Sequence, residues 1–309
     1  METAVEWVNF QINMFKQTGQ EIDAYILVTL AMAGDRTDVL DFLVTQGLDV
    51  NKPNDFIHFA SFSGYLKGIK WLLDKGVKVD SRDKENKTPM HKAAQNNKVD
   101  VIKYLKECGA DLYLKDDSNL SPMDEAVLHE KIESIKCLVG LGYDINSRDE
   151  NGQPVLFRAA MFGKMESMKC LKGLGVDINI KDDSGQTPIF DAALGGQIEA
   201  IKYFIEMGAD VNGKCNAGST PLFLAASSGQ IACIEYLVKL GADINITSNN
   251  GMTPIFSATW GRHLECIKRM KELGFKLDVK AKNGSTPLSF AIEDGFTEVA
   301  EWLRINGAI

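Results

Sequence analysis

The sequence predicts an all-α fold assembled from repeated helix–turn–helix units, each joined to the next by a polar hairpin. Two ladders and one periodicity predict it. Glycine recurs at Gly76, Gly109, Gly142, Gly175, Gly208, Gly241, Gly274 and Gly307, each step 33 residues. In register with it run Thr88-Pro89, Ser121-Pro122, Pro154-Val155, Thr187-Pro188, Thr220-Pro221, Thr253-Pro254 and Thr286-Pro287. Between the ladders, apolar residues recur at helical spacing, as at Ile102 and Leu105, Ile201 and Phe204, or Ile234 and Leu237. Self-similarity at a fixed period over most of a chain marks a repeat architecture.

In chain order, residues 1–22 match no repeat. Val5, Val8, Ile12 and Phe15 give "TAVEWVNFQINMFKQTG" one apolar stripe, so this segment is expected to be an amphipathic capping helix. The run "AYILVTLAMAG" follows acidic residues and is too short to span a bilayer; it reads as a buried helix. Gly47 lies 29 residues before Gly76, so the loop at Asn51-Lys52-Pro53 is expected to be short.

Each later unit opens at Thr-Pro, where the hydroxyl can cap free amides and proline suits the first turn. The pairs Ala93-Ala94, Ala159-Ala160, Ala192-Ala193 and Ala225-Ala226 allow close helix approach, and Gly163, Gly196 and Gly229 suit a left-handed stop. The second helix ends at the ladder glycine, and "ADVN" or "YDIN" leads into a turn such as Asp149 to Gly152. Asp83, Asp116, Asp149 and Asp182 take the first turn position, where a carboxylate accepts local amides. At the far end Glu298, Glu301, Arg304 and Asn306 make the last helix polar, as a solvent-facing closure should be. Starting at Met1 and ending on a short repeat at Gly307-Ala308-Ile309, the chain is expected to leave no room for a catalytic domain.

The stretch "DDSGQTPIFDAALGG", Asp182 to Gly196, followed by "GADVN", Gly208 to Asn212, resembles the ankyrin repeat. The resemblance covers roughly residues 23–309 in about nine repeats and implies a solenoid of stacked helix–turn–helix units with projecting β-hairpin loops, the first and last acting as caps. The family's histidine after the proline survives only as His58 and His91; Asp124, Phe157, Phe190, Phe223, Phe256 and Ser289 replace it. The four phenylalanines read as core. Glu130 and Arg262 stand where the first-helix glycine belongs.

A net charge of −8 and a pI near 5.2 argue against nucleic acid as a partner, because phosphate binding needs clustered cations. No secretory signal opens the chain, and the six cysteines show no metal or redox spacing, so a reducing cytoplasm is expected. Cys137 and Cys170, like Cys233 and Cys266, are one period apart on second helices. Helix axes pack about 8–10 Å apart, too far for a disulfide, so packed thiols are expected. Cys215, in a hairpin, is expected to be exposed. The histidines are dispersed and no catalytic constellation or phosphate loop appears, so neither an enzyme, a metal site nor a cofactor is expected.

The family's partners usually lie against hairpin tips and first helices. Carried over, the open helix positions include Leu128, His129, Met161, Phe162, Leu194 and Trp260. Apolar residues there, beside tips carrying Asp117, Glu150, Asp183 and Asn216, form an expected partner-binding surface. Arg82, Lys115, Arg148, Lys181 and Lys214 form a basic column, expected to be neutralised by neighbouring carboxylates. The resulting expectation is a protein-binding scaffold, monomeric without its partner, with no membrane contact. The alternative is an immunity-type inhibitor that occludes an enzyme or toxin. Asn146, Asn179, Asn212 and Asn245 occupy the hairpin asparagine that animal hydroxylases modify in this family, although a turn role explains them.

Overall fold

The computed structural model describes residues 3–17, 23–50 and 55–308, with side chains for all but residues 15–17. The Phe15 side chain, the boundary at residue 22, the Asn51-Lys52-Pro53 loop and Ile309 lie outside the described residues. The described residues form helices and turns without a strand. They divide into two compact units, Met1–Asp144 and Ile145–Ile309.

In the first unit, α1 (Ala4–Gln17) packs against α3 (Thr37–Thr45), which pairs with α2 (Ala24–Ala33). Val8 is buried on α1, but Val5 is exposed, so the predicted stripe covers only part of the helix. The apolar run forms α2 and buries Leu27, Val28, Ala31 and Met32. The pairs α4 (Phe56–Ser63) with α5 (Leu66–Asp74), α6 (Pro89–Gln95) with α7 (Val99–Glu107), and α8 (Pro122–Leu128) with α9 (Ile132–Gly140) follow.

The second unit repeats the pattern. It pairs α10 (Val155–Met161) with α11 (Met165–Gly173), α12 (Pro188–Leu194) with α13 (Ile198–Glu206), and α14 (Pro221–Ser227) with α15 (Ile231–Lys239). The pairs α16 (Pro254–Trp260) with α17 (Leu264–Glu272), and α18 (Pro287–Glu293) with α19 (Thr297–Ile305), complete it.

Packing follows from residue size. First helices stand in a row within each unit, and the alanine pairs that face their neighbours are fully buried. Second helices contribute one stripe, of which Ile102, Leu105, Met168, Leu171, Ile201, Phe204 and Leu237 are completely covered. Each such large side chain contributes about 1.5–3 kcal/mol by leaving water. Phe157, Phe190, Phe223 and Phe256 are likewise buried, as core residues should be. At the ladder position Gly208 takes φ +92°, which lets Ala209 donate back to the carbonyl of Phe204 at 2.9 Å.

The start of the first helix shows what replacing the family histidine does. In α6, Thr88 N donates to His91 Nδ1 at 3.0 Å, and His91 Nε2 reaches the Leu120 carbonyl at 2.9 Å. In α8, Ser121 donates its amide and hydroxyl to Asp124 at 2.7 and 2.6 Å. In α18, Ser289 exchanges bonds with Thr286. Phenylalanine cannot reciprocate, and the buried hydroxyls of Thr220 and Thr253 have no hydrogen-bond partner. Thr220→Val is therefore expected to be neutral or to stabilise by up to about 1 kcal/mol, whereas Ser121→Ala costs about 1–2 kcal/mol. Urea denaturation checks both; a clear loss at Thr220 would show that its hydroxyl is bonded after all.

The hairpins are turns rather than strand pairs. Asp149 N donates to Gln153 O and Gly152 N to Asp149 O, both at 3.0 Å. The Asp149 carboxylate accepts from Asn151 N and Gln153 N, each 2.9 Å away, and so closes the turn from inside. Asp83 and Asp116 do the same in the first unit. With the loop curled around a carboxylate, too few residues run antiparallel to make a strand.

The basic column departs from expectation. Arg82 donates to the carbonyls of Asn86 and Lys115, and Arg148 to those of Gly152 and Lys181. Lys214 reaches the Thr247 carbonyl at 3.2 Å. These cations tie one hairpin to the next through backbone carbonyls rather than pairing with the acids beside them. Lys115 does meet a carboxylate, 3.4 Å from Asp124.

Candidate functional site

Every expected helix-end residue sits on the last turn of a first helix or just beyond it, because the turn after the alanine pair carries the chain out of the packed row. In the first unit Leu128 is half-buried and His129 exposed, its Nε2 within 3.3 Å of the buried Glu125. In the second unit Met161 is 37% exposed, Phe162 49% and Trp260 70%, while Leu194 is half-buried. Met161, Phe162 and Leu194 come from adjacent helices, α10 and α12, and lie close together. A Cβ built on Gly195 would come within 2.0 Å of the Met161 carbonyl oxygen.

The tip residues Asp117, Glu150, Asp183 and Asn216 are all exposed. Three of them also fasten one hairpin to another. Asp117 N donates to Glu85 O, Asp183 N to Asn151 O and Asn216 N to Ser184 O. The Asn216 side chain donates to the Asp183 carbonyl at 3.1 Å, and the Asp117 carboxylate accepts from Asn86 at 2.8 Å. These tips therefore present a shaped edge more than free hydrogen-bonding groups.

Around Trp260 the second unit opens a cleft of about 200 Å³. Its walls are Phe223, Met252, Phe256, Trp260 and Phe290, with the hydroxyl-bearing Ser219, Ser248 and Ser257 between them. Trp260 stacks on Phe290 at 5.9 Å between ring centroids and 28° between planes, and Phe290 meets Phe296 edge-on. Arg262 lies 4.2 Å over the Phe296 ring, and this non-glycine residue takes φ +59°.

The wall beneath the tips changes character along the unit. Toward α12 it is charged: Asp182 and Asp191 are buried, and Gln153 Nε2 bridges them at 3.0 and 3.5 Å. Burial, with Asp182 and Asp149 adding repulsion and Arg158 opposing, pushes the Asp191 carboxyl up to about 7. Toward α16 the same repeat positions hold uncharged residues, and there the cleft opens.

The Cys215 thiol is buried, contrary to expectation, because residue 215 stands one period after Asp182 and is tucked under the loop in the same way. Cys233 and Cys266 are buried on second helices, and burial pushes their thiols up to about 11 and 12. Cys137 and Cys170 are half-buried, and Cys108 is exposed. No His, Cys, Asp and Glu grouping among the described residues could hold a metal, and none of their helices is long and apolar enough to cross a membrane.

Two contributors escaped sequence reasoning. Tyr113 stands where other repeats carry the hairpin asparagine; its hydroxyl accepts from Asp144 N at 2.8 Å and lies 3.5 Å from the Gly142 carbonyl. Asn212 does the same with Asp243 N and the Gly241 carbonyl. The 33-residue register was the available signal. Phe290 was also missed; the same register places it on the inner wall, one period after Ser257.

Comparison with known proteins agrees with this geometry. The family profile described as ankyrin repeats in three copies matches residues 57–149, 156–248 and 240–308. Alpha-latrocrustotoxin-Lt1a of Latrodectus tredecimguttatus is 35% identical over 80 residues, a match covering 24% of this chain and 6% of that protein.

Proposed function

This chain belongs to the ankyrin repeat family, and from that premise we propose that it is a non-catalytic scaffold. It binds a partner protein with first-helix ends and adjoining hairpin tips. Ankyrin repeats generally serve as protein–protein interaction modules. The observation that carries the reading is the exposure of Met161 and Trp260 at one equivalent position of the repeat and of Phe162 at the next. Exposed apolar surface of this kind is uncommon without a use, and aromatic anchors supply much of an interface's energy. Tips fastened to one another present a rigid edge, which lowers the entropic cost of binding. We read α1, packed on α3, as the cover of the stack's first end.

The test is capture of a partner by the tagged chain from its source lysate, repeated with Met161→Ala/Phe162→Ala/Leu194→Ala. Loss of the captured protein at an unchanged denaturation midpoint is expected. Capture as strong as that of the parent would remove this surface from the proposal.

A further inference from the structure

The cleft beside Trp260 differs from the rest of the inner wall in having no charge, and that difference narrows what it can hold. The first position of the hairpin turn is aspartate at Asp149 and Asp182, then Cys215, Ser248 and Ala281. The inner position of the first helix is Arg158 and Asp191, then Leu224, Ser257 and Phe290. Both columns lose their charge where the cleft forms. No Asp, Glu, Lys or Arg occurs in residues 215–234 or 244–261, which supply seven of the cleft's residues. The one cation that follows directly, Arg262, lies against Phe296.

We propose that this cleft seats a single aromatic or long aliphatic side chain of a partner protein, presented on a segment without charged residues next to that anchor. The proposal deepens the scaffold reading and rests on it. A charged side chain entering here would lose its hydration and meet no counter-charge. An apolar side chain instead meets the stacked Trp260–Phe290 pair, Phe223 and Phe256, and the adaptable thioether of Met252. Serine hydroxyls along the walls can bond the backbone of the incoming segment without imposing a sign of charge. Few precisely placed polar groups in an apolar concavity are what a specific pocket requires. The volume, about 200 Å³, suits one large side chain and is too small for a helix.

Selection of phage-displayed random peptides on the purified full chain tests the proposal. Recovered peptides are expected to share one aromatic or long aliphatic residue with uncharged neighbours. Their affinity should fall at least tenfold in Trp260→Ala and in Ser257→Glu, which places a charge in the wall. It should be unchanged in Met207→Ala, an exposed residue at the C-terminal end of the second helix α13. The Trp260 emission, isolated by subtracting that of Trp260→Phe, should shift to the blue when a peptide binds. Peptides with charges beside the anchor, peptides indifferent to both Trp260→Ala and Ser257→Glu, or no enrichment at all would overturn the assignment. The helix-end surface of the scaffold reading fails separately: it is removed if partner capture survives loss of Met161, Phe162 and Leu194. Capture lost there, with no peptide selected on the cleft, would leave the scaffold standing and the cleft assignment refuted.

Discussion

Gly195→Ala is expected to lower stability by about 3 kcal/mol, at the upper end of what overpacking costs. Gly195 caps α12 with φ −77°, a conformation any residue adopts, so backbone strain plays no part. The cost is steric. The new methyl would lie 2.0 Å from the Met161 carbonyl oxygen and 3.0 Å from its carbon, and both belong to backbone. No rotamer can relieve the overlap, so α10 and α12 must separate. Their fully buried alanine pairs then lose contact across the whole row. Gly173→Ala is the control: it lies in α11, with no atom within 4 Å of the added methyl. It should stabilise by about 0.5–1 kcal/mol through helix propensity. Urea midpoints for the two variants should move in opposite directions. Equal shifts, or a Gly195→Ala loss below that of an ordinary surface change, would mean the two helices are not locked together. Because Met161, Phe162 and Leu194 ride on these helices, the same substitution should weaken partner binding without removing a contacting atom.

What the sequence displayed was whatever a repeat writes locally. Thr-Pro starts, alanine pairs, the second-helix stripe and the terminal glycines each depend on residues within one unit, and all lie where the 33-residue register places them. Exposure at Met161, Phe162 and Trp260 was legible for the same reason. Features made between units were not. Arg82 and Arg148 were expected beside acids, yet their reach to the next loop's carbonyls depends on how far apart successive hairpins stand. Cys215 was read as exposed from its place in a loop; its alignment with the buried Asp182 would have corrected that. The Trp260 cleft gathers residues from several repeats, so no single motif announces it. The charge-free columns at 215, 248 and 281, and at 224, 257 and 290, did lie open to inspection.

Asp191→Asn should raise stability by about 4 kcal/mol at pH 8 and change it little near pH 4. In the unfolded chain this carboxyl titrates at its ordinary value of 3.8, and in the fold at about 7. Between those values the folded chain holds a proton that the unfolded chain has released. Rising pH therefore removes stability throughout that window, and above it the loss is complete. The cause is local. Asp191 is buried beside Asp182 and Asp149, and Gln153 Nε2, 3.5 Å from it, lies nearer to Asp182. Ionisation places a second buried negative charge against the first, with Arg158 only partly compensating. An asparagine keeps the shape, carries no charge and offers an N–H to the Asp182 carboxylate. Denaturation midpoints of parent and variant at pH 4, 6 and 8 should diverge as pH rises, the parent losing ground. A gap independent of pH, or a variant weaker than the parent at pH 8, would show that Asp191 is ionised in the fold at neutral pH and held by Arg158. The tips above Asp149 and Asp182 belong to the proposed surface, so the parent's partner affinity should decline over the same pH window and the variant's should not.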